Sequence, residues 1–124
     1  MVSAKCAKIL LVEDEIPLAE NMQILLGLHG YEVVWACNAS EALGSLKSEE
    51  IDIILLDLRL GQESGVSAMN QALDCSLYLP PIIIVSAEPD HVIAEAAKIV
   101  GAIAALRKPC GVLRLKAAIQ SGLR

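Results

Sequence analysis

Ile51-Asp52-Ile53-Ile54-Leu55-Leu56-Asp57 is the run on which the reading of this chain turns. From Ile53 to Leu56 every position is apolar with no alternation, the pattern of a strand buried on both faces in the middle of a parallel sheet. The run then ends on a carboxylate. A free Asp at the end of a fully buried strand is costly unless a metal, a cation or hydrogen bonds offset its charge. In open parallel sheets the crevice beyond the carboxyl ends of the strands is where ligands and chemistry sit. Asp57 is therefore the first candidate for a working residue, against the plainer alternative of a carboxylate capping the loop that follows.

Outward from this run the chain alternates between strand and helix patterns. Ala7 to Val12 is a short apolar run that stops at the acidic loop Glu13-Asp14-Glu15. Pro17 suits the first position of a helix on which Leu18, Met22, Leu25 and Leu26 recur, ending at His29-Gly30. Tyr31 to Cys37 is β-branched and aromatic enough for a second strand, and Asn38 or Ser40 starts a helix with Ala39, Ala42, Leu43 and Leu46 on one face. After Asp57 a glycine-punctuated loop, Leu58 to Gly65, leads into a helix with Val66, Met69, Ala72 and Leu73 inward. Pro80-Pro81 precedes a second continuous apolar strand, Ile82 to Val85, which ends at Ser86. Asp90 reads as the N-cap of a helix presenting Ile93, Ala96, Ala97 and Val100 and closed by Gly101. A fifth strand, Ala102 to Arg107, ends at Lys108-Pro109, and a last helix carries Val112, Leu115, Ala118 and Ile119 on one face.

Five strands alternating with five helices, joined by right-handed crossovers, predict an α/β fold with a parallel sheet covered on both sides. The first, third and fourth strands are the most uniformly apolar and belong in the centre; the second, with Glu32 and Trp35, suits an edge. The doubly wound, flavodoxin-like order 2-1-3-4-5 satisfies both. A chain of 124 residues without linker, repeat or low-complexity segment is read as a single domain over residues 1–124.

Composition narrows the function. Hydrophobic residues make up 55% of the chain, yet no apolar run approaches the roughly 18 residues a membrane span needs. Met1 to Cys6 carries one lysine and leads straight into a strand pattern with no cleavable leader, so the chain is read as cytoplasmic. A net charge of −5 repels nucleic acid and gives no footprint for direct binding to it. Cys6, Cys37, Cys75 and Cys110 have no metal-ligand spacing and are expected to be reduced, buried small hydrophobes. With no Phe, one Trp and two Tyr the core is aliphatic, and stacking on bases or flavin has little to work with.

Every strand but the second ends in chemistry: Glu13 and Asp14, Asp57, Ser86 and Lys108, all on one rim of such a sheet. Two carboxylates about 4 Å apart repel by roughly 4 kcal/mol even at an effective dielectric near 20, so three converging acids need positive charge. Lys108 supplies one unit, and a divalent cation cancels the rest. Oxygen ligands with room for water and a phosphoryl group suit Mg²⁺. Mg²⁺ and Lys108 would spread the charge of a transferring phosphoryl group, Ser86 would hydrogen-bond it, and Asp57 would be the nucleophile, giving an aspartyl phosphate. Singly, each member has a plainer reading: adjacent acids as a solvated turn, a Ser after a strand as a cap, Lys before Pro as a surface residue.

The chain resembles the receiver domains of two-component response regulators, the chemotaxis-type doubly wound fold. The resemblance rests on Ile9-Leu10-Leu11-Val12-Glu13-Asp14, Gly30-Tyr31-Glu32-Val33-Val34, Glu41-Ala42-Leu43, Asp57-Leu58-Arg59-Leu60 with Gly65, Pro81-Ile82-Ile83-Ile84-Val85-Ser86-Ala87, and Gly101-Ala102 through Leu106-Arg107-Lys108-Pro109. It implies Asp57 as phosphoacceptor, Asp14 as a direct metal ligand, Glu13 as a metal-site acid acting through water and the Arg59 carbonyl as a third protein ligand. It also implies Ser86 as the hydroxyl that follows the phosphoryl group, Lys108 as its ion-pair partner and a cis Lys108–Pro109 peptide. The side chains of Arg59 and Glu88 hold positions that flank the phosphoryl site in receivers. Three positions depart from the pattern: Ala105 stands where an aromatic is usual, Cys110 where Phe commonly follows Lys-Pro, and Gly61 where Pro is frequent.

The function expected is that of a receiver taking phosphate from a histidine kinase or histidine phosphotransfer protein and signalling through the fourth helix, fifth strand and last helix. Leu113 and Ala117 on that surface would serve a downstream partner or a weak homodimer, the alternative being a monomer. Such a chain is no enzyme beyond catalysing its own phosphorylation and dephosphorylation. The alternative is a degenerate receiver that acts as an unphosphorylated interaction scaffold, for which Ala105 and Cys110 speak. An aspartate-nucleophile phosphatase is disfavoured, because Asp57-Leu58-Arg59 has no second acid; a nucleotide binder would want glycines where Glu13-Asp14-Glu15-Ile16-Pro17 stands. His29, His91, Trp35 and Glu49-Glu50 are read as structural.

Overall fold

In the computed structural model, which describes residues 6–123, the chain runs β1 (Lys8–Val12), α1 (Ile16–Leu28), β2 (Glu32–Ala36), α2 (Ala39–Ser48), β3 (Ile53–Leu56), β4 (Arg59–Leu60), β5 (Glu63–Ser64), α3 (Gly65–Asp74), β6 (Ile82–Ser86), α4 (Asp90–Val100), β7 (Ala104–Arg107) and α5 (Val112–Gly122). The readings made on Met1 to Lys5 and on Arg124 lie outside the described residues. Five strands form one sheet in the order β2-β1-β3-β6-β7, with every neighbour parallel. With the small β4–β5 hairpin set aside, this is the order 2-1-3-4-5 expected from the sequence.

The unbroken apolar runs are explained by what lies on each face. Leu10, Val12, Ile54, Leu56, Ile82 and Ile84 point into a core completed by residues of α2, α3 and α4. Their neighbours Ile9, Leu11, Ile53, Leu55, Ile83 and Val85 point the other way, against α1 and α5. All four residues of β3 are fully buried. Each such side chain contributes about 2 kcal/mol relative to an exposed one, which anchors this strand firmly in the centre of the sheet.

Several local expectations are corrected. The loop after Asp57 contains the antiparallel hairpin β4–β5, whose two-residue strands are too short to leave a period in the sequence. Asp90 is not the N-cap of α4: Pro89 holds that position in an extended conformation (φ −58°, ψ 153°), and its carbonyl accepts from Val92 and Ile93. Asp90 instead occupies the first turn, where a carboxylate suits the helix dipole, and reaches Arg107 at 3.5 Å. On α3 the inward stripe is Ala68, Met69 and Ala72, and Leu73 is 55% exposed. The cysteines are free but not buried. Cys6 and Cys75 are exposed and Cys37 and Cys110 half-buried, because they sit at the ends of elements rather than within them. Trp35 packs at the sheet edge as expected, and its Nε1 also donates to the Glu13 carbonyl at 2.7 Å.

Gly65 opens α3 directly beneath the end of β3, with its N–H donating to the Leu58 carbonyl at 3.0 Å. A Cβ there would overlap the Asp57 carbonyl oxygen, a backbone atom that cannot move without dragging the strand end. At Gly122 the obstacles are only the Cδ1 ends of Ile103 and Ile53, each 2.6 Å from the added atom, which can rotate away. Gly65→Ala is expected to lower unfolding free energy by on the order of 3 kcal/mol, and Gly122→Ala by less than half as much. Urea denaturation midpoints of the two variants check the ranking.

Candidate functional site

Four strands end on one rim, and the sheet's hydrogen bonds continue one residue past them. Glu13 N donates to Ala36 O at 3.0 Å, Asp57 N to Val12 O at 3.0 Å, and Lys108 N to Ser86 O at 2.8 Å. The backbones that carry the candidate side chains are thus pinned by the same ladder that builds the core. The Lys108–Pro109 peptide that follows β7 is cis.

From this frame the side chains converge. Lys108 Nζ lies 2.8 Å from Glu13 Oε1 and 2.8 Å from Asp57 Oδ2, one ammonium between two acids. Glu13 is 2% exposed and Asp57 7%, so both charges are held largely out of water. Burial pushes the Glu13 carboxyl above its ordinary pKa; the hydrogen bond from Lys108 opposes that shift, and the Asp57 charge adds to it. Burial alone would lower the Lys108 pKa, but its bonds and charges with Asp57 and Glu13 outweigh it and hold the ammonium above its ordinary value. Each remaining oxygen has a backbone partner. Glu13 Oε2 accepts from Glu15 N at 3.2 Å, and Asp57 Oδ1 from Arg59 N at 3.3 Å.

Asp14 is half-buried, and its Oδ2 accepts from the backbone N–H of Gly61 at 2.7 Å. Ser86 is fully buried, and its Oγ accepts from Glu88 N at 3.2 Å, leaving the hydroxyl proton to donate elsewhere. Arg59 and Glu88 face each other at 3.8 Å. Asp14, Asp57, Arg59, Ser86, Glu88 and Lys108 all line one cleft of about 490 Å³, while Glu13 stands behind its wall. A second cleft of about 420 Å³ is lined by residues of α1 and α5, including Leu25 and Leu115, and by Cys110.

The donor set suits a hard divalent cation. Glu13, Asp14 and Asp57 each offer an oxygen within 4.8 Å of the others, and with Lys108 they leave a net charge of −2. Of the residues anticipated from sequence, Glu13, Asp14, Asp57, Ser86 and Lys108 are brought together by their side chains, and Arg59 lines the same cleft. The Gly61 amide is a participant that the sequence reading leaves out; the one signal for it is glycine where proline, which has no N–H to donate, is frequent. His29 ends α1 and His91 is exposed on α4, and neither lines the cleft.

The family described as "Response regulator receiver domain" matches residues 9–120. The alginate biosynthesis transcriptional regulatory protein AlgB of Pseudomonas aeruginosa is 35% identical over 124 residues, covering 98% of this chain but only 27% of that protein. Among solved structures, the chemotaxis protein CheY4 of Vibrio cholerae superposes with a TM-score of 0.87 at 28% identity, covering 96% of this chain and 100% of that one. A response regulator of Burkholderia pseudomallei, solved with a phosphorylated aspartic acid, a calcium ion and citrate, gives a TM-score of 0.81 at 29% identity over 94% of this chain and 68% of that one.

Removing the shared ammonium tests the electrostatics directly. Lys108→Met leaves Glu13 and Asp57 buried without a counter-charge, and the metal-free variant is expected to lose on the order of 3 kcal/mol of stability. Millimolar Mg²⁺ restores part of that loss by binding only the folded chain. Thermal melts with and without Mg²⁺ measure both effects; an unchanged metal-free melting temperature contradicts the account.

Proposed function

This chain belongs to the response regulator receiver family, and on that footing we propose that it is a phosphoacceptor of a two-component phosphorelay, with Asp57 as the residue that carries the phosphoryl group. The observation that carries the reading is the convergence of Asp14, Asp57, Ser86 and Lys108 on one cleft, with a second acid, Glu13, paired to the same ammonium. The phosphorylated aspartate of the Burkholderia pseudomallei regulator supports it by analogy.

In the proposed reaction an Asp57 carboxylate oxygen forms a bond to phosphorus as the donor's bond to phosphorus breaks, leaving an acyl phosphate on the chain. Lys108 keeps its charge beside the reacting carboxylate and meets the negative oxygens of the arriving group. Ser86 Oγ–H donates to one of those oxygens. Asp14, Asp57 and the Arg59 carbonyl would hold Mg²⁺, with Glu13 acting through water. When bound, the cation supplies charge neutralisation to the phosphoryl oxygens. The donor is a histidine kinase or a histidine phosphotransfer protein, and the cell compartment is the cytoplasm. Among the described residues no helix is long and apolar enough to cross a membrane. The chain itself turns over no separate substrate.

The output runs through α4, β7 and α5, where Ile99, Ile103 and Leu113 are exposed large apolar side chains for a downstream partner or a weak homodimer. Ala105 removes the aromatic rotamer that commonly reports phosphorylation, so the change passes through backbone. As Ser86 turns toward the phosphoryl group its bond to Glu88 N lengthens, and residues 87–89 and the start of α4 move with it. The convergent acceptor groups argue against the alternative of an unphosphorylated scaffold.

Incubation with Mg²⁺ and acetyl phosphate or phosphoramidate is expected to add the mass of one phosphoryl group, lost in Asp57→Asn; no addition with any donor returns the scaffold reading. Crystal structures with and without a beryllofluoride mimic are expected to differ at residues 87–89 and the first turn of α4. An immobile loop there contradicts the proposed switch.

A further inference from the structure

The most exposed of the three acids is also the one whose carboxylate is held by the least conspicuous group. Asp14 follows β1 in a loop, and its Oδ2 accepts a 2.7 Å hydrogen bond from the Gly61 amide. Building on the reading of Asp14 as a direct cation ligand, we propose that the backbone N–H of Gly61 is a positioning group for the divalent cation. It locks the Asp14 carboxylate in one orientation and leaves Oδ1 as the oxygen available to the ion.

Two observations and one physical argument carry this. First, the donor is itself held in place. The β4–β5 hairpin that presents Gly61 is fastened to the core by Leu60, which is 3% exposed. It is fastened to α2 by Glu63, whose Oε1 accepts from Ala39 N at 3.0 Å. Second, Gly61 has φ +65°, a conformation that aims its N–H at Asp14 and that side-chain-bearing residues adopt at a cost. Space is not the constraint, since the nearest atom to an added Cβ is Asp14 Oδ2 at 3.9 Å. Glycine therefore serves the backbone geometry. Proline, with no N–H and φ locked near −65°, can supply neither. Third, an untethered Asp14 side chain would have to be ordered at the moment of binding, whereas here that entropy is already spent in the folded chain. Hydrogen-bond partners that orient metal ligands are commonly worth a factor of 10 to 100 in affinity.

The opposite relation is also physically possible: the amide could compete with the cation for Asp14 and be displaced by it. The two relations predict opposite results. Semisynthesis with glycolic acid at position 61 replaces the N–H by an ester oxygen and leaves the rest of the chain unchanged. Calorimetric titration with Mg²⁺ is expected to give affinity about tenfold weaker than for the parent chain. Gly61→Asn, which keeps the N–H and tolerates positive φ, is expected to bind close to the parent value. In the unmodified protein the Gly61 amide proton is expected to remain protected from exchange at saturating Mg²⁺. Equal or tighter binding by the ester, or loss of that protection on saturation, overturns the proposal. Asp14→Asn separates the two levels of the reading. If it binds Mg²⁺ as well as the parent, Asp14 is no ligand and this proposal falls with it. If it binds weakly while the ester does not, only the positioning role is lost.

Discussion

One ammonium between two buried carboxylates sets the terms for everything on this rim. Lys108 is 2.8 Å from both Glu13 and Asp57, and those two acids would repel each other by several kcal/mol without it. Buried ion pairs are poor sources of net stability, because desolvation offsets most of the Coulomb gain. What the arrangement provides is position. Glu13 and Asp57 cannot swing toward solvent without abandoning a charge they share, and with Asp14 alongside the cluster stays two units negative. The folded chain thus holds an uncompensated negative charge at the mouth of the cleft, a place suited to a divalent cation.

That position is inherited from the sheet. The register pairs Val12 with Leu56, Leu56 with Ile84, and Ile84 with Ala105, so β1 and β3 end level while β6 and β7 run two residues further, to Ser86 and Arg107. The ladder then takes one further rung, through the amides of Asp57 and Lys108, before the loops begin. A slip of one residue in a central strand would exchange the side chains that its two faces present to the two cores, and the close packing on both sides opposes that. Core packing and site geometry are therefore one constraint. Gly65 belongs to it as well, because only a residue without Cβ can pass so close to the Asp57 carbonyl.

What could be read from sequence, and what could not, divides along the same line. Strands buried on both faces announce themselves as unbroken apolar runs, and the polar residue that ends each run is the site residue. So Ile53–Leu56 with Asp57 and Ile82–Val85 with Ser86 were legible together. The features that were missed depend on one or two residues in a specific conformation. The β4–β5 hairpin has no period to detect, and the Gly61 amide has no side chain to notice. Asp90 looks like a cap, yet Pro89 caps α4 through its extended backbone. The cysteines were expected inside because the residue type favours burial, but each lies at an element's end, where position outweighs preference.

The loop after β6 shows how a chain with no Phe can still couple its cleft to a distant face. Ser86 Oγ holds Glu88 N at 3.2 Å, and the next residue, Pro89, offers the carbonyl on which Val92 and Ile93 begin α4. Three consecutive residues thus connect a buried hydroxyl in the cleft to the first turn of a helix. Arg59 touches the same link from outside through Glu88, at 3.8 Å and largely in solvent, too weakly to lock it. Ala105, on β7 beside Ile84, has no side chain that must turn inward when the loop moves. Here the peptide backbone from Ser86 to Pro89 joins the cleft to α4, and a ligand that prefers one orientation of the Ser86 hydroxyl would shift that link by as much as its preference allows.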